Sequence, residues 1–228
     1  MHTKAKVKTK VGRPAARLGL GARELLLNAA TELFAESGAG ATTFAMIAKR
    51  AGLTPAMLHY YFKDRDELFD AVVEERLLPL IRNVWGPVHA GEDAAQIVEG
   101  VVGRLLEGVE KAPWLPSTWM REILNEGGAL RERILERLPY EKLRILGNAI
   151  ARGQKDGLLN PAIVPLLAVP STIGLAMLHM ATANTWAAIL HQAPLSREAM
   201  RKHITGLLLD GLCHKGRASA KTISREKK

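Results

Sequence analysis

The sequence of 228 residues has a single cysteine, Cys213, and only 5% aromatic residues. One cysteine excludes an intramolecular disulfide framework and a metal site built from clustered cysteines. The alternating Val, Ile and Thr pattern of half-buried strands is nearly absent, whereas alanine and leucine are abundant. Because 47% of the residues are hydrophobic, a substantial core can form. These features predict an all-α protein of about nine helices and no sheet.

Motifs that carry catalysis or bind nucleotides are also missing. There is no H-E-x-x-H pair, no P-loop, no G-x-G-x-x-G after a strand and no G-x-S-x-G. His203, Cys213 and His214 can be imagined as metal ligands, but surface or core roles suit them better. We therefore predict no catalytic residue, no cofactor and no metal, and a helical enzyme is the least favoured alternative.

The net charge of +9 is concentrated at the two ends of the chain. Residues 1–23 contain seven Lys or Arg and no acidic residue, residues 214–228 carry +5, and residues 24–213 carry −3. A basic arm beside a folded domain favours a polyanionic partner such as nucleic acid. We predict disordered basic segments at 1–20 and 214–228, of which the second acts as a solvated tail.

A stretch without formal charge, residues 163–190, raises the question of a membrane span. Pro165 and Pro170 interrupt its start, and its Ser, Thr, His and Asn residues make it too polar for a comfortable span of about 20 residues. A helix buried in the core or at a subunit interface is expected instead. The N-terminus lacks the apolar core of a secretion signal, which favours a cytoplasmic protein.

Start and stop signals divide the chain into helices. The predicted helices are 23–37, 43–51, 55–62, 64–85, 92–110, 117–126, 129–157 with a bend near Pro139, 163–191 and 196–213.

The second and third helices are short and are separated by a glycine. Thr42 and Thr43 can both cap the second helix, and Gly52 ends it. Thr54 followed by Pro55 is a strong helix start, because a proline at the first helical position loses no hydrogen bond. This arrangement is typical of a helix-turn-helix motif, whose second helix enters the DNA major groove.

The third helix has an inner and an outer face. Leu58 and Phe62 lie four residues apart and are predicted to face the core, so the other side chains can meet base edges and phosphates. Gly12-Arg13-Pro14 resembles the core of a minor-groove AT-hook, although a nonspecific phosphate tether remains open. The predicted DNA-contacting residues are Thr43, Thr54, Ala56, Met57, His59, Tyr60, Tyr61, Lys63, Arg65 and, from the arm, Arg13.

Residues 42–69 resemble the DNA-binding segment of the TetR family of bacterial transcriptional regulators. They read T-T-F-A-M-I-A-K-R-A-G-L-T-P-A-M-L-H-Y-Y-F-K-D-R-D-E-L-F, and E-L-F-A-E-S-G at 32–38 is similar as well. Two positions depart from the family, since His59 replaces its usual Tyr and Arg65 its usual Lys. The matching positions are Thr43, Ile47, Ala48, Ala51, Gly52, Leu53, Thr54, Leu58, Tyr61 and Phe62.

The resemblance implies a C-terminal helical domain that binds a small molecule and forms a homodimer through its last two helices. Independently, helices 163–191 and 196–213 are the most apolar, and their Ala and Gly residues allow close helix approach. Closure of the monomer core by these helices is the alternative. The predicted ligand-pocket residues are Trp114, Trp119, Met120, Met177, His179, Met180, Asn184 and Trp186.

We therefore expect a disordered arm at 1–20, a DNA-binding domain at 21–65 and a ligand-binding and dimerisation domain at 66–213, with helix 64–85 as the connector. The expected function is that of a repressor that binds a palindromic operator as a homodimer and is released by a small apolar or aromatic effector. An architectural or activating DNA-binding protein without a ligand is the alternative. A cavity within residues 90–190 would distinguish the two.

Overall fold

The computed structural model describes residues 19–213. The arm with Arg13 and the tail with His214 lie outside the described residues. Within residues 19–213 the chain forms ten helices and no strand, and its β-type pairing is limited to an isolated antiparallel bridge between Leu159 and Cys213. The all-α prediction is confirmed, with one helix more than the nine expected.

Two of the ten helices contain a π-helical turn. In chain order the helices are α1 (Gly19–Ser37), α2 (Phe44–Ala51), α3 (Pro55–Tyr61), α4 (Arg65–Val72, the π-helical turn Val73–Leu77, then Leu78–Trp85), α5 (Ala94–Lys111), α6 (Leu115–Thr118, then the π-helical turn Trp119–Ile123), α7 (Arg131–Glu136), α8 (Tyr140–Lys155), α9 (Ala168–Ile189, entered through the 3₁₀ turn Pro165–Leu167) and α10 (Arg197–Leu212).

Helices α1, α2 and α3 form a head around a small apolar core. Leu58 and Phe62 are 0% and 1% exposed, which confirms that they face inward. Phe34 of α1 meets Phe69 of α4 edge to face, with ring centroids 5.5 Å apart, a favourable aromatic geometry. The head core therefore continues directly into the start of α4.

Ion pairs fasten α4 to its neighbours on both sides. Toward α1, Glu75 pairs with Arg23, and Arg76 pairs with Glu24. Toward α7, Arg133 donates to Asp66 at 2.6 Å and to Asp70 at 3.1 Å. Because the partly exposed Arg23 donates to Glu75, the pKa of the Glu75 carboxyl is lowered from its ordinary value. Helix α4 thus connects the head to the rest of the protein through charged contacts.

The expected bent helix 129–157 is wrong, because the chain forms two separate helices, α7 and α8, with residues 137–139 between them. Pro139 precedes the first residue of α8. A proline has no backbone N–H and disfavours helical geometry in the residue before it, so α7 ends instead of bending.

Helix α9 is long and apolar but is not a buried core helix. The segment Pro165–Ile189 satisfies the length and composition of a membrane span, yet only 17% of its most apolar window is buried. Leu178 and Ile189 on this helix are 49% and 57% exposed. Burial in the monomer core therefore does not account for its apolar composition.

Candidate functional site

The start of α3 is fixed by its own capping residue. The Thr54 Oγ1 accepts a hydrogen bond from the Met57 N–H at 3.3 Å, and Pro55 occupies the first turn. At α2, Thr43 Oγ1 accepts from the Met46 N–H at 3.2 Å in the same way. Both threonines therefore act as N-caps, as the sequence predicts.

The turn between α2 and α3 requires a glycine. Gly52 has φ of 68°, in the left-handed region that other residues adopt only with strain. The Leu53 N–H donates to the Ala48 carbonyl at 2.9 Å, and the Gly52 N–H donates to the Lys49 carbonyl at 3.2 Å. These two hydrogen bonds close the end of α2. This turn sets the direction in which α3 leaves α2.

A charged brace holds α2 against α1. Arg50 donates two hydrogen bonds to the Glu36 carboxylate, at 2.9 and 2.7 Å. These hydrogen bonds lower the pKa of Glu36 and raise the pKa of Arg50. Because a bidentate pair fixes relative orientation, this pair helps to orient α2 against α1.

Most of the predicted DNA-contacting side chains in the described residues are exposed. Tyr60 is 82% exposed although it is a large aromatic residue. Its ring meets that of Tyr61 edge to face at 5.1 Å, and the His59 ring lies 5.0 Å from that of Phe44. Met57 and Tyr61 are half-buried, whereas the other predicted residues in the described range are exposed: Thr43, Thr54, Ala56, His59, Tyr60, Lys63 and Arg65.

Arg65 has an intramolecular role beside any contact with DNA. Its Nη2 donates to the carbonyls of Ala39 and Gly40 at 2.9 and 3.1 Å, and its guanidinium lies over the Phe69 ring. Arg65 therefore ties the start of α4 to the turn between α1 and α2. The sequence alone does not predict these two hydrogen bonds, because Arg65 lies 26 positions from Ala39 and 25 positions from Gly40.

Removing the cap of α3 is expected to weaken the head. Thr54→Ala should lower the free energy of unfolding by about 1 kcal/mol, because the Met57 N–H loses the hydroxyl acceptor and keeps only the Thr54 backbone carbonyl. Thr54→Ser keeps the oxygen and should remain close to wild type. Urea denaturation of the three proteins measures the difference, and equal destabilisation by both substitutions would contradict the capping role.

A central cavity of about 220 Å³ lies in the C-terminal part of the structure. The end of α4, parts of α5, α6, α8 and α9, and Leu138 between α7 and α8 line it. Its lining is entirely uncharged: Leu80, Ile81, Val84, Trp85, Leu105, Gly108, Leu115, Trp119, Leu138, Leu143, Val169, Pro170, Ile173 and Met177.

One polar atom at the central cavity lacks a partner. Trp119 belongs to the lining, and its indole N–H is buried with no hydrogen-bond acceptor in the structure. Buried donors are normally paired, so this one stands out. The central cavity therefore has an apolar wall, and one of the residues that form it carries an unpaired buried donor.

The predicted pocket residues are divided between two places. Trp119 and Met177 line the central cavity. His179 and Trp186 line a separate groove of about 450 Å³ between α9 and α10. Trp114, Met120, Met180 and Asn184 line neither. The sequence did not identify the cavity-lining residues of α4, such as Trp85. Their helical spacing indicates a buried face, but nothing in the sequence shows which helices pack together.

Comparison with known sequences identifies the head. Residues 26–72 match the family model described as bacterial regulatory proteins, tetR family. The HTH-type transcriptional repressor KstR2 of Rhodococcus jostii is 25% identical over 195 residues, covering 84% of this chain and 91% of the relative. The HTH-type transcriptional regulator AcrR of Shigella flexneri is 28% identical over 131 residues, covering 55% of this chain and 51% of the relative.

Solved structures show the same fold along most of the chain. The ketosteroid transcriptional regulator KstR2 of Mycobacterium tuberculosis has a TM-score of 0.67 at 18% identity and covers 89% of this chain and 100% of its own. FadR from Bacillus subtilis, solved in complex with stearoyl-CoA, has a TM-score of 0.59 at 20% identity. It covers 83% of this chain and 98% of its own. These structures show the fold, while the helix-turn-helix geometry of the head, its match to the tetR family model and the curated relatives identify a DNA-binding transcriptional regulator of the TetR family.

Proposed function

We propose that this protein is a homodimeric repressor that binds a palindromic operator and is released by a small, uncharged, apolar effector. The observation that supports this best is the path of α4, which begins in the DNA-binding head and ends in the wall of the uncharged central cavity. The relative KstR2 is itself named a repressor. Such a protein acts where the DNA is, in the cytoplasm.

The DNA-contacting surface of the proposed complex is the open side of α3. Tyr60 is exposed in its last turn, Lys63 is exposed just after its end, and Ala56 is exposed at its start. Small residues allow a helix to approach base edges, while Tyr and Lys suit phosphates. In a two-fold dimer, two copies of α3 would occupy successive major grooves about one helical turn apart.

Exposed apolar residues on α9 and α10 support the dimer. Leu178, Ile189 and Leu207 are each about half exposed in the monomer. Large exposed apolar side chains on two adjacent helices are typical of a subunit interface. Two helices from each copy would form a four-helix interface, which fits the closed two-fold symmetry of most homodimers.

The central cavity suggests the chemistry of the effector. Its wall offers no charged side chain, so an ionised ligand group would lose hydration without compensation. The Trp119 N–H favours a ligand with one acceptor oxygen, such as a ketone or an ester. One similar structure is named for a ketosteroid regulator, and another is a complex with stearoyl-CoA, whose acyl chain is apolar.

Release follows from differential binding. An effector that fits the cavity better when α4 is displaced favours that arrangement, and the separation of the two heads then changes. Helix α4 supports this scheme because its ion pairs reach α1 on one side and α7 on the other.

The test combines footprinting with two probes of equal length. DNase I footprinting on the DNA flanking the gene should reveal a palindromic protected site. Saturating 2-undecanone should lower the affinity for this site about tenfold, within the usual range of allosteric coupling. Undecanoate, which is charged at pH 7, should leave the affinity unchanged.

The variant Trp119→Phe provides the matched control. It keeps the aromatic wall but removes the N–H, so the ketone should bind roughly fivefold more weakly, equivalent to about one hydrogen bond. Equal release by both probes would contradict a site that selects uncharged effectors. A footprint without any response to either probe would favour the architectural or activating alternative.

A further inference from the structure

A buried carboxylate links the wall of the central cavity to the DNA-binding head. Glu122 lies in the π-helical turn of α6 that begins with Trp119, and it is 2% exposed. Its Oε1 accepts a hydrogen bond of 2.6 Å from the Ala39 N–H, in the turn between α1 and α2. Its Oε2 accepts one of 3.3 Å from the Leu130 N–H, just before α7. One side chain therefore bridges the head and the C-terminal domain.

The chemistry of the bridge requires a carboxylate. Both partners of Glu122 are backbone N–H donors, and only a carboxylate presents an acceptor oxygen to each of them. A glutamine of the same size would turn an NH₂ group toward one donor and leave that buried N–H unpaired. Burial of an unpaired polar group is costly, so the residue at this position is narrowly constrained.

Two glycines make room for this contact. Gly38 has φ of 85°, and a Cβ there would lie 3.4 Å from the Glu122 Oε1. A Cβ on Gly128 would lie 2.3 Å from the Glu122 carbonyl oxygen, closer than atoms approach, so any larger residue would displace the backbone. The turn of α6 and the loop after it are therefore packed closely around the buried carboxylate.

The same turn of the head is also held from α4. The Arg65 Nη2 donates to the carbonyls of Ala39 and Gly40. Thus α4 holds the carbonyl side of this turn and α6 holds its N–H side, and both helices contribute to the cavity wall. Each of the two helices also contains a π-helical turn, a rare feature often found at functional sites.

We infer that Glu122 is a positioning residue that transmits occupancy of the central cavity to the turn between α1 and α2. A molecule that displaces Trp119 moves the π-helical turn, and the Glu122 carboxylate moves the Ala39 N–H with it. This deepens the proposed function, since it adds a second connection to the one through α4 and names the residue that provides it.

The experiment fills the cavity without any ligand. Gly108 lines the central cavity, and a Cβ there meets nothing within 4 Å, so Gly108→Leu places a side chain in open space. Gly103 lies in the same helix, has equal room for a Cβ and is absent from the cavity lining. Gly103→Leu is therefore the matched control. Hydrogen–deuterium exchange of the Ala39 amide provides the readout.

We expect Gly108→Leu to speed exchange of Ala39 about tenfold, whereas Gly103→Leu leaves it unchanged. Glu122→Gln alone should already speed this exchange by about tenfold or more, because the Ala39 N–H loses a hydrogen bond to a charged group. In the double variant Gly108→Leu with Glu122→Gln, the Ala39 amide should exchange no faster than in Glu122→Gln alone. Such non-additivity indicates that both substitutions act through the same contact. Glu126→Gln, exposed in the following loop, should behave as wild type.

Three results would overturn the inference: no response to Gly108→Leu, normal Ala39 exchange in Glu122→Gln, or a full response to Gly108→Leu in the double variant. If Glu122→Gln fails to fold, the comparison of Gly108→Leu with Gly103→Leu still decides whether the cavity reaches Ala39. Neither DNA nor effector is present, so a failure here is separate from a failure of operator binding.

Discussion

Alanine at both Tyr60 and Lys63 is expected to lower operator affinity by roughly a thousandfold or more while leaving the fold intact. Each well-placed contact contributes on the order of 1–3 kcal/mol, and a dimer loses every contact twice. Both side chains are exposed, so their removal costs little stability. The loss of Lys63 should also make binding less dependent on salt. The slope of the logarithm of the binding constant against the logarithm of the salt concentration should fall by roughly 0.9 for each phosphate contact removed.

Fluorescence anisotropy with labelled operator DNA at several salt concentrations measures both effects. The matched control is Tyr140→Ala with Lys155→Ala, which removes the same residue types from exposed positions on α8, away from the head. Unchanged affinity in the Tyr60 and Lys63 variant would mean that another face of the head meets DNA. A similar loss in the control would point to a general effect on the protein.

Glutamate at both Leu178 and Ile189 is expected to convert the dimer into a monomer. These residues lie on the exposed face of α9, and two copies of each would bring like charges into an apolar interface. Unpaired buried charge is strongly unfavourable. A monomer holds only one half-site, so operator affinity should fall by about 10²–10⁴, the usual range of a linked second contact.

Light scattering at micromolar concentration measures the oligomeric state of this variant. Leu124→Glu is the control, because Leu124 is 55% exposed and follows α6 directly, so it belongs to neither α9 nor α10. This control should remain dimeric and bind DNA normally. A variant with both glutamates that still forms dimers would show that the subunits meet through another surface.

The head could be predicted in detail because its signals are local. Thr54 before Pro55 sets the start of α3, Gly52 sets the turn, and Leu58 and Phe62 show the buried side by their spacing. Each of these signals acts within about four residues, and the structure confirms the caps and the buried positions. The family resemblance rests on the same residues.

The central cavity could not be predicted in the same way. Its wall is assembled from five helices, so Trp85 and Leu143 become neighbours only through packing. The π-helical turns have no recognisable sequence pattern, because they depend on how the flanking helices are held. The contact of Glu122 with Ala39 spans 83 positions, a separation for which a single sequence contains no signal.

The charged attachment of α4 has a consequence for measurements on this protein. Arg23 pairs with Glu75 and Arg133 with Asp66 at partly exposed positions, where dissolved ions screen the attraction. Added salt therefore weakens the ion pairs that orient the heads, and it also weakens the binding of the heads to DNA phosphates. The dependence of operator affinity on ionic strength should be steeper than the number of phosphate contacts requires, and the excess measures the electrostatic coupling within the protein itself.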